Sequence, residues 1–127
     1  MICIYGLADR LNPIKARMSD ALHGCVMEVL GLPADKRAHR FFPMARDDFY
    51  APGGRSDAYT VITIDMIAGR TETRKKALIK AIFAAFARDL AIQPIDVEIT
   101  IREQPAHCWG FRGMTGDEAS LSYAIDV

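Results

Sequence analysis

The sequence predicts an α/β (α+β) fold: a duplicated β-α-β unit forming a four-stranded mixed sheet, with two helices on one face and short extra strands. Three observations predict it. The first is the stretch 59–102, which reads as strand, helix and strand without a break. In Val61-Ile-Thr-Ile-Asp-Met-Ile67, Ile62, Ile64 and Met66 fall on one side while Thr63 and Asp65 fall on the other, the alternation of a strand with one dry face. Beyond Gly69, Leu78, Ile82, Phe86 and Leu90 recur four apart, which predicts a helix from about Thr71 to Ala91. Val97-Glu-Ile-Thr-Ile101 alternates again, so the two strands are expected to run parallel through a right-handed crossover.

The second observation is a repeat. Sliding the chain by sixty residues without a gap pairs Ile2 with Ile62, Ile4 with Ile64, Arg10 with Arg70, Lys15 with Lys75 and Leu30 with Leu90. The helical stripe Met18, Leu22, Val26 and Leu30 falls on Leu78, Ile82, Phe86 and Leu90. Charged residues matching alongside apolar ones point to an internal duplication. The third is the segment Gln104–Gly116, where Gly110, Gly113 and Gly116 stand beside Trp109 and Phe111 and predict a turning segment after the second unit.

In order, Met1–Gly6 reads as the first strand, with Ile2 and Ile4 buried. Asn12-Pro13 supplies an N-cap side chain and a proline at the first helical position, so a helix is expected from there to Leu30, stopped by Gly31-Leu-Pro33. A second strand is expected at 38–44, and Pro43 favours a sheet edge for it. Residues 45–57 form the connector between units: one helical turn at Arg46–Tyr50, then an Ala51–Arg55 loop. A last short strand is expected at Leu121–Ile125. One domain is expected over 1–127, with repeats at about 2–44 and 59–102 and a tail at 104–127.

Composition narrows the function classes. Sixteen acidic residues balance sixteen basic ones, so the basic footprint of a nucleic-acid binder is missing. No apolar run reaches membrane-spanning length, and Asp9 and Arg10 interrupt anything resembling a secretory leader. The three cysteines are odd in number, far apart and without metal-ligand spacing, which suits a reducing cytoplasm and predicts neither disulfide nor metal. No cofactor is expected.

Tyr59-Thr-Val-Ile-Thr-Ile64, Arg70-Thr-Glu with Lys75 beyond it, Asp96-Val-Glu-Ile-Thr-Ile101 and Trp109-Gly-Phe111 together resemble the tautomerase superfamily, over nearly the whole chain. Within it the sequence is similar to the branch that includes malonate semialdehyde decarboxylase. It is most similar to a small bacterial subgroup that begins Met-Ile and carries the block now at Gln104–Ala119. The resemblance implies a homotrimer and acid–base chemistry on small 2-oxo acids by an amino-terminal proline. Ile2 stands where that proline would be, and its bulk predicts that Met1 is retained. The catalytic amine is then that of Met1, whose ordinary pKa near 8 suits proton transfer.

The resemblance further implies that Arg70 holds a substrate carboxylate; its mate in the family falls on Ala68. The family's water-polarising carboxylate falls on Lys36, with Asp35 one place away, so decarboxylation and hydration are not supported. Arg37 matches an arginine beside that position and is a candidate for substrate binding. Trp109 and Phe111 match pocket-wall aromatics, and packing between subunits would suit them equally. His39 and His107 are of the residue type that can exchange protons near neutral pH, but a lone histidine is ordinarily structural. Cys108 and His107, as neighbours on extended chain, would point apart. Two functions follow: a tautomerase-like catalyst acting on a small carboxylate-containing molecule, or a non-catalytic trimeric binding or scaffold protein that retained the fold.

Overall fold

The computed structural model describes residues 1–127. Two β-α-β units form in chain order. The first comprises strand β1 (Ile2–Leu7), a short helix α1 (Ala8–Leu11), a 3-10 turn (Asn12–Ile14), helix α2 (Lys15–Leu30) and strand β2 (His39–Met44). The second comprises strand β3 (Thr60–Ile67), helix α3 (Glu72–Leu90) and strand β4 (Val97–Gln104). β1 pairs parallel with β2, β3 pairs parallel with β4, and β1 and β3 run antiparallel at the centre of the order β2-β1-β3-β4. Pro43, which lacks an N–H to donate, lies on the edge strand as expected.

Alternation explains the layering. Ile62, Ile64 and Met66 of β3 are buried, as are Ile2 and Ile4 of β1, and these join Met18, Leu22, Val26 and Leu30 of α2 and Leu78, Ile82, Phe86 and Leu90 of α3 in one core of 18 buried residues. Both helices therefore cover the same sheet face. Phe86, Leu22, Leu78 and Ile82 are fully enclosed, and truncating any of them to alanine would cost about 2–5 kcal/mol. The opposite face carries Tyr5 stacked on Phe42 at 4.8 Å, together with Thr63 and an Arg102–Asp65 ion pair at 2.8 Å.

Two local expectations are corrected. Helical geometry begins at Ala8 rather than at Asn12, and Asn12 makes no side-chain cap. Pro13 sits in the 3-10 turn that joins α1 to α2, where its missing N–H costs no α-helical hydrogen bond. Leu121–Ile125 does not form a strand; that stretch is irregular and packs back on the molecule. The short extra strands are instead β5 (Gly110–Phe111) and β6 (Met114–Thr115), a hairpin turning through Arg112-Gly113, both at positive φ.

Candidate active site

The antiparallel pairing of β1 and β3 brings the beginning of one against the end of the other. Ile2 lies opposite Ile64, and the amide of Asp65 donates to the Met1 carbonyl at 2.8 Å. Parallel pairing of β1 with β2 sets His39 beside Ile2. Beyond β3 the chain turns through Gly69 (φ +148°) and delivers Arg70 to the same corner. A cavity of about 470 Å³ opens there. Its floor is Ile2, Ile64 and Met66; its rim is Trp109, Phe111 and the tail residues Leu121 and Tyr123.

Met1, Arg70, Trp109 and Phe111, the residues singled out from the sequence, all line this cavity. The Met1 ammonium donates to the Asp65 carbonyl at 2.8 Å. Burial holds its pKa below the ordinary 8.0, Arg40 and Arg70 push the same way, and Asp65 opposes them. The Asp65 carboxylate itself accepts from Nε and Nη2 of Arg102, at 2.8 and 3.0 Å.

Arg70 is 7 % exposed and has no carboxylate within ion-pair distance. One guanidinium nitrogen donates to the Ile67 carbonyl at 3.2 Å, the Tyr123 ring lies 6.0 Å from the guanidinium carbon, and Nε is buried with no partner. Burial lowers its pKa. A buried cation with an unfilled donor is costly unless something anionic meets it. Lys36, Arg112 and the Met1 amine add positive charge around the same space.

Arg37 does not reach the cavity. Its guanidinium extends along α2, donating to the Asp20 carboxylate at 2.7 Å and to the Ser19 hydroxyl at 3.2 Å, and its neighbour Lys36 lines the cavity instead. The structure also brings in two histidines. His39 lines the wall with Nδ1 2.7 Å from the Ser19 hydroxyl, and buried His23 donates Nε2–H to the Ala34 carbonyl at 2.9 Å. Their rings lie edge-on, 6.2 Å apart. The signal for His39 was available in the sequence, because a parallel crossover puts the first residue of β2 beside the chain start. His23 carried none, since a histidine on an apolar helix stripe reads as core. His107 and Cys108 are exposed in a 3-10 turn outside the cavity. No group of three or more His, Cys, Asp or Glu side chains comes together to hold a metal ion. No helix is long and apolar enough to cross a membrane.

Comparison with known proteins places this geometry. The chain is 36% identical to a 2-hydroxymuconate tautomerase of Pseudomonas putida over 55 residues, 43% of this chain and 87% of that one. A solved malonate semialdehyde decarboxylase superposes with a TM-score of 0.81 at 25% identity, covering 90% of this chain and 92% of that one. A fused 4-OT, solved as an asymmetric trimer, gives a TM-score of 0.81 at 24% identity, covering 92% and 96%. The family model described as "Tautomerase enzyme" matches residues 36–112, from the cavity lysine through β3, α3 and β4 to the aromatic hairpin, and the chain belongs to that family.

Proposed function

We propose that the protein catalyses keto–enol proton transfer on a small 2-oxo acid, with the Met1 amine in the role that an amino-terminal proline plays elsewhere in the superfamily. The observation that carries this reading is a titratable amine with a lowered pKa sharing one cavity with a buried, carboxylate-free arginine. Arg70 binds the acid's carboxylate through the guanidinium N–H groups that face the cavity, and Trp109 and Phe111 flank the remainder of the molecule. The neutral amine takes a proton from the carbon beside the oxo group. The C–H electron pair becomes the new C=C bond, the carbonyl π pair moves to oxygen, and that oxygen is then protonated to give the enol.

Keto–enol exchange of phenylpyruvate tests this. The wild type is expected to exceed the buffer rate, and Arg70→Ala to lower kcat/KM by roughly 10²–10³, in line with loss of a buried charge-assisted contact. A wild-type rate equal to buffer would sink the reading.

One observation favours the scaffold alternative: the Met1 nitrogen is already engaged with the Asp65 carbonyl. Replacing the Met-Ile start by Met-Pro separates the two. Activity arising only in the proline variant supports a binding protein that lost its catalyst, whereas comparable activity in both supports the amine. In either case we propose a homotrimer assembled through the open sheet face. That face presents the Tyr5–Phe42 stack and a buried Thr63 hydroxyl without a partner, and the fused 4-OT of the same fold is trimeric.

A further inference from the structure

The tautomerase reading leaves unassigned the group that meets the developing oxyanion. We propose that His39 is that group: a neutral imidazole presenting Nε2–H to the 2-oxo oxygen, with Ser19 and Arg37 as the positioning residues that fix its tautomer. The inference rests on the reading above for its substrate class, and on hydrogen-bond bookkeeping for the histidine.

A guanidinium only donates, so the Arg37 nitrogen 3.2 Å from Ser19 Oγ makes that oxygen an acceptor. The one hydroxyl proton of Ser19 then points to its other neighbour, His39 Nδ1, at 2.7 Å. The oxygen has lone pairs for two donors, but the opposite arrangement would leave the hydroxyl proton without an acceptor among these groups. Nδ1 is therefore the acceptor and the ring proton lies on Nε2, which has no protein partner. His23 cannot take this role, because its own Nε2–H is spent on the Ala34 carbonyl.

The surroundings keep the ring neutral. Facing it are His23 from α2, Lys36 and Arg37 from the connector before β2, and the Met1 amine from the start of β1; Asp65 and Arg70 lie on the same cavity. Burial first, then Arg37, His23 and the terminal amine, bring the His39 pKa down to about 4. A neutral N–H whose proton is held firmly suits stabilisation of an enolate oxygen. The His39 proton stays on nitrogen throughout, and the proton that reaches oxygen comes from the Met1 ammonium or from water. Arg37, which does not touch the cavity, thereby acquires a part in the site through Ser19.

Nitrogen-15 histidine spectra of the whole chain test the tautomer without any need for turnover. His39 is expected to carry its proton on Nε2 from neutral pH down to about pH 5. Pyruvate should move that resonance, and propionate, which has the carboxylate but no oxo group, should not. A proton on Nδ1, or equal responses to the two acids including none to either, would overturn the proposal. In the phenylpyruvate assay His39→Leu should lower kcat by about 10²-fold with KM changed less than threefold, as for loss of one oxyanion donor. His39→Gln, whose amide N–H reaches the Nε2 position, should keep kcat within about tenfold of wild type; equal losses in both variants, or none, would refute the role. Ser19→Ala is expected to spread the His39 proton over both nitrogens and to lower kcat about tenfold. Should the wild type show no turnover at all, the tautomerase reading fails while the spectra still judge the histidine.

Discussion

Arg70 is expected to act in opposite directions on stability and on the proposed function. Its guanidinium is buried among Ile67, Tyr123 and the cavity wall with no carboxylate to offset its desolvation. Arg70→Met, similar in length and uncharged, is expected to leave the unfolding free energy unchanged or raise it by about 1 kcal/mol. The same change should abolish binding of small carboxylates. Urea denaturation and calorimetric titration on one preparation check both signs; a loss of several kcal/mol would mean that the charge is structurally satisfied. His39 sets a second residue-scale expectation. Its pKa falls from 6.5 in the unfolded chain to about 4 in the folded one, so the unfolded chain binds more protons throughout that interval. Stability is then fully present above about pH 6.5 and is lost as the pH falls towards 4. The Met1 amine, also lowered, extends the same slope upward towards pH 8. Between pH 7 and pH 5 the His39 share comes to about 1–2 kcal/mol, and His39→Gln should remove it from a pH series of urea midpoints.

The helices and strands show which parts of this site the sequence expressed. Period-two alternation in β3 and β4 and the four-residue stripe in α3 identified those elements, because each buries one face against a single core. The stripe could not say where the first helix begins: Ala8–Leu11 is helical with only Leu11 buried, and a proline that merely tolerates a 3-10 turn looked like a start signal. Leu121–Ile125 is apolar enough for a strand but finds no partner edge, and it seals the cavity rim instead. Met1 and Arg70 were paired through the resemblance to the tautomerase superfamily alone; it is the antiparallel pairing of β1 with β3 that brings them to one corner. Arg37 was misleading, since a one-residue step along an irregular connector exchanges cavity for surface and no periodicity governs that choice. The repeat also exposes a flaw in one element. α2 closes on Gly31 at φ 71°, and sixty residues later α3 closes on Ala91 at φ 54°, with the Ile92 amide reaching back to the Phe86 carbonyl at 3.1 Å. A left-handed alanine costs about 1–2 kcal/mol, part of which glycine returns as greater freedom of the unfolded chain. Ala91→Gly is expected to raise stability by about 0.5–1 kcal/mol without touching activity, as read by thermal and urea unfolding; destabilisation would show that the Ala91 methyl packs usefully.

At the scale of the molecule, the duplicated unit produces two corners, and only one of them carries the large cavity. Because β1 and β3 are antiparallel, the corner at the start of β1 has a counterpart at its end, where a smaller cavity of about 140 Å³ is lined by Gly6, Leu7, Arg10, Leu90 and Ile92. Those positions are the sixty-residue mates of Met66, Ile67, Arg70, Leu30 and Leu32, all of which line the larger cavity. What differs is the covering. Trp109, Phe111 and the 120–123 segment wall in the Arg70 corner and keep its guanidinium from water, whereas the Arg10 corner is crossed by Asp57–Thr60 and leaves Arg10 exposed. An exposed guanidinium binds a carboxylate weakly because water competes for it; an enclosed one with no carboxylate partner of its own does not share that loss. Each chain should therefore bind one small 2-oxo acid and not two. Calorimetric titration with pyruvate is expected to give one site per chain, to be unaffected by Arg10→Ala within about twofold in Kd, and to lose all measurable heat with Arg70→Ala. Two equivalent sites, or a loss on Arg10→Ala matching that on Arg70→Ala, would show that enclosure does not distinguish the corners and that the duplicated arginine binds by charge alone.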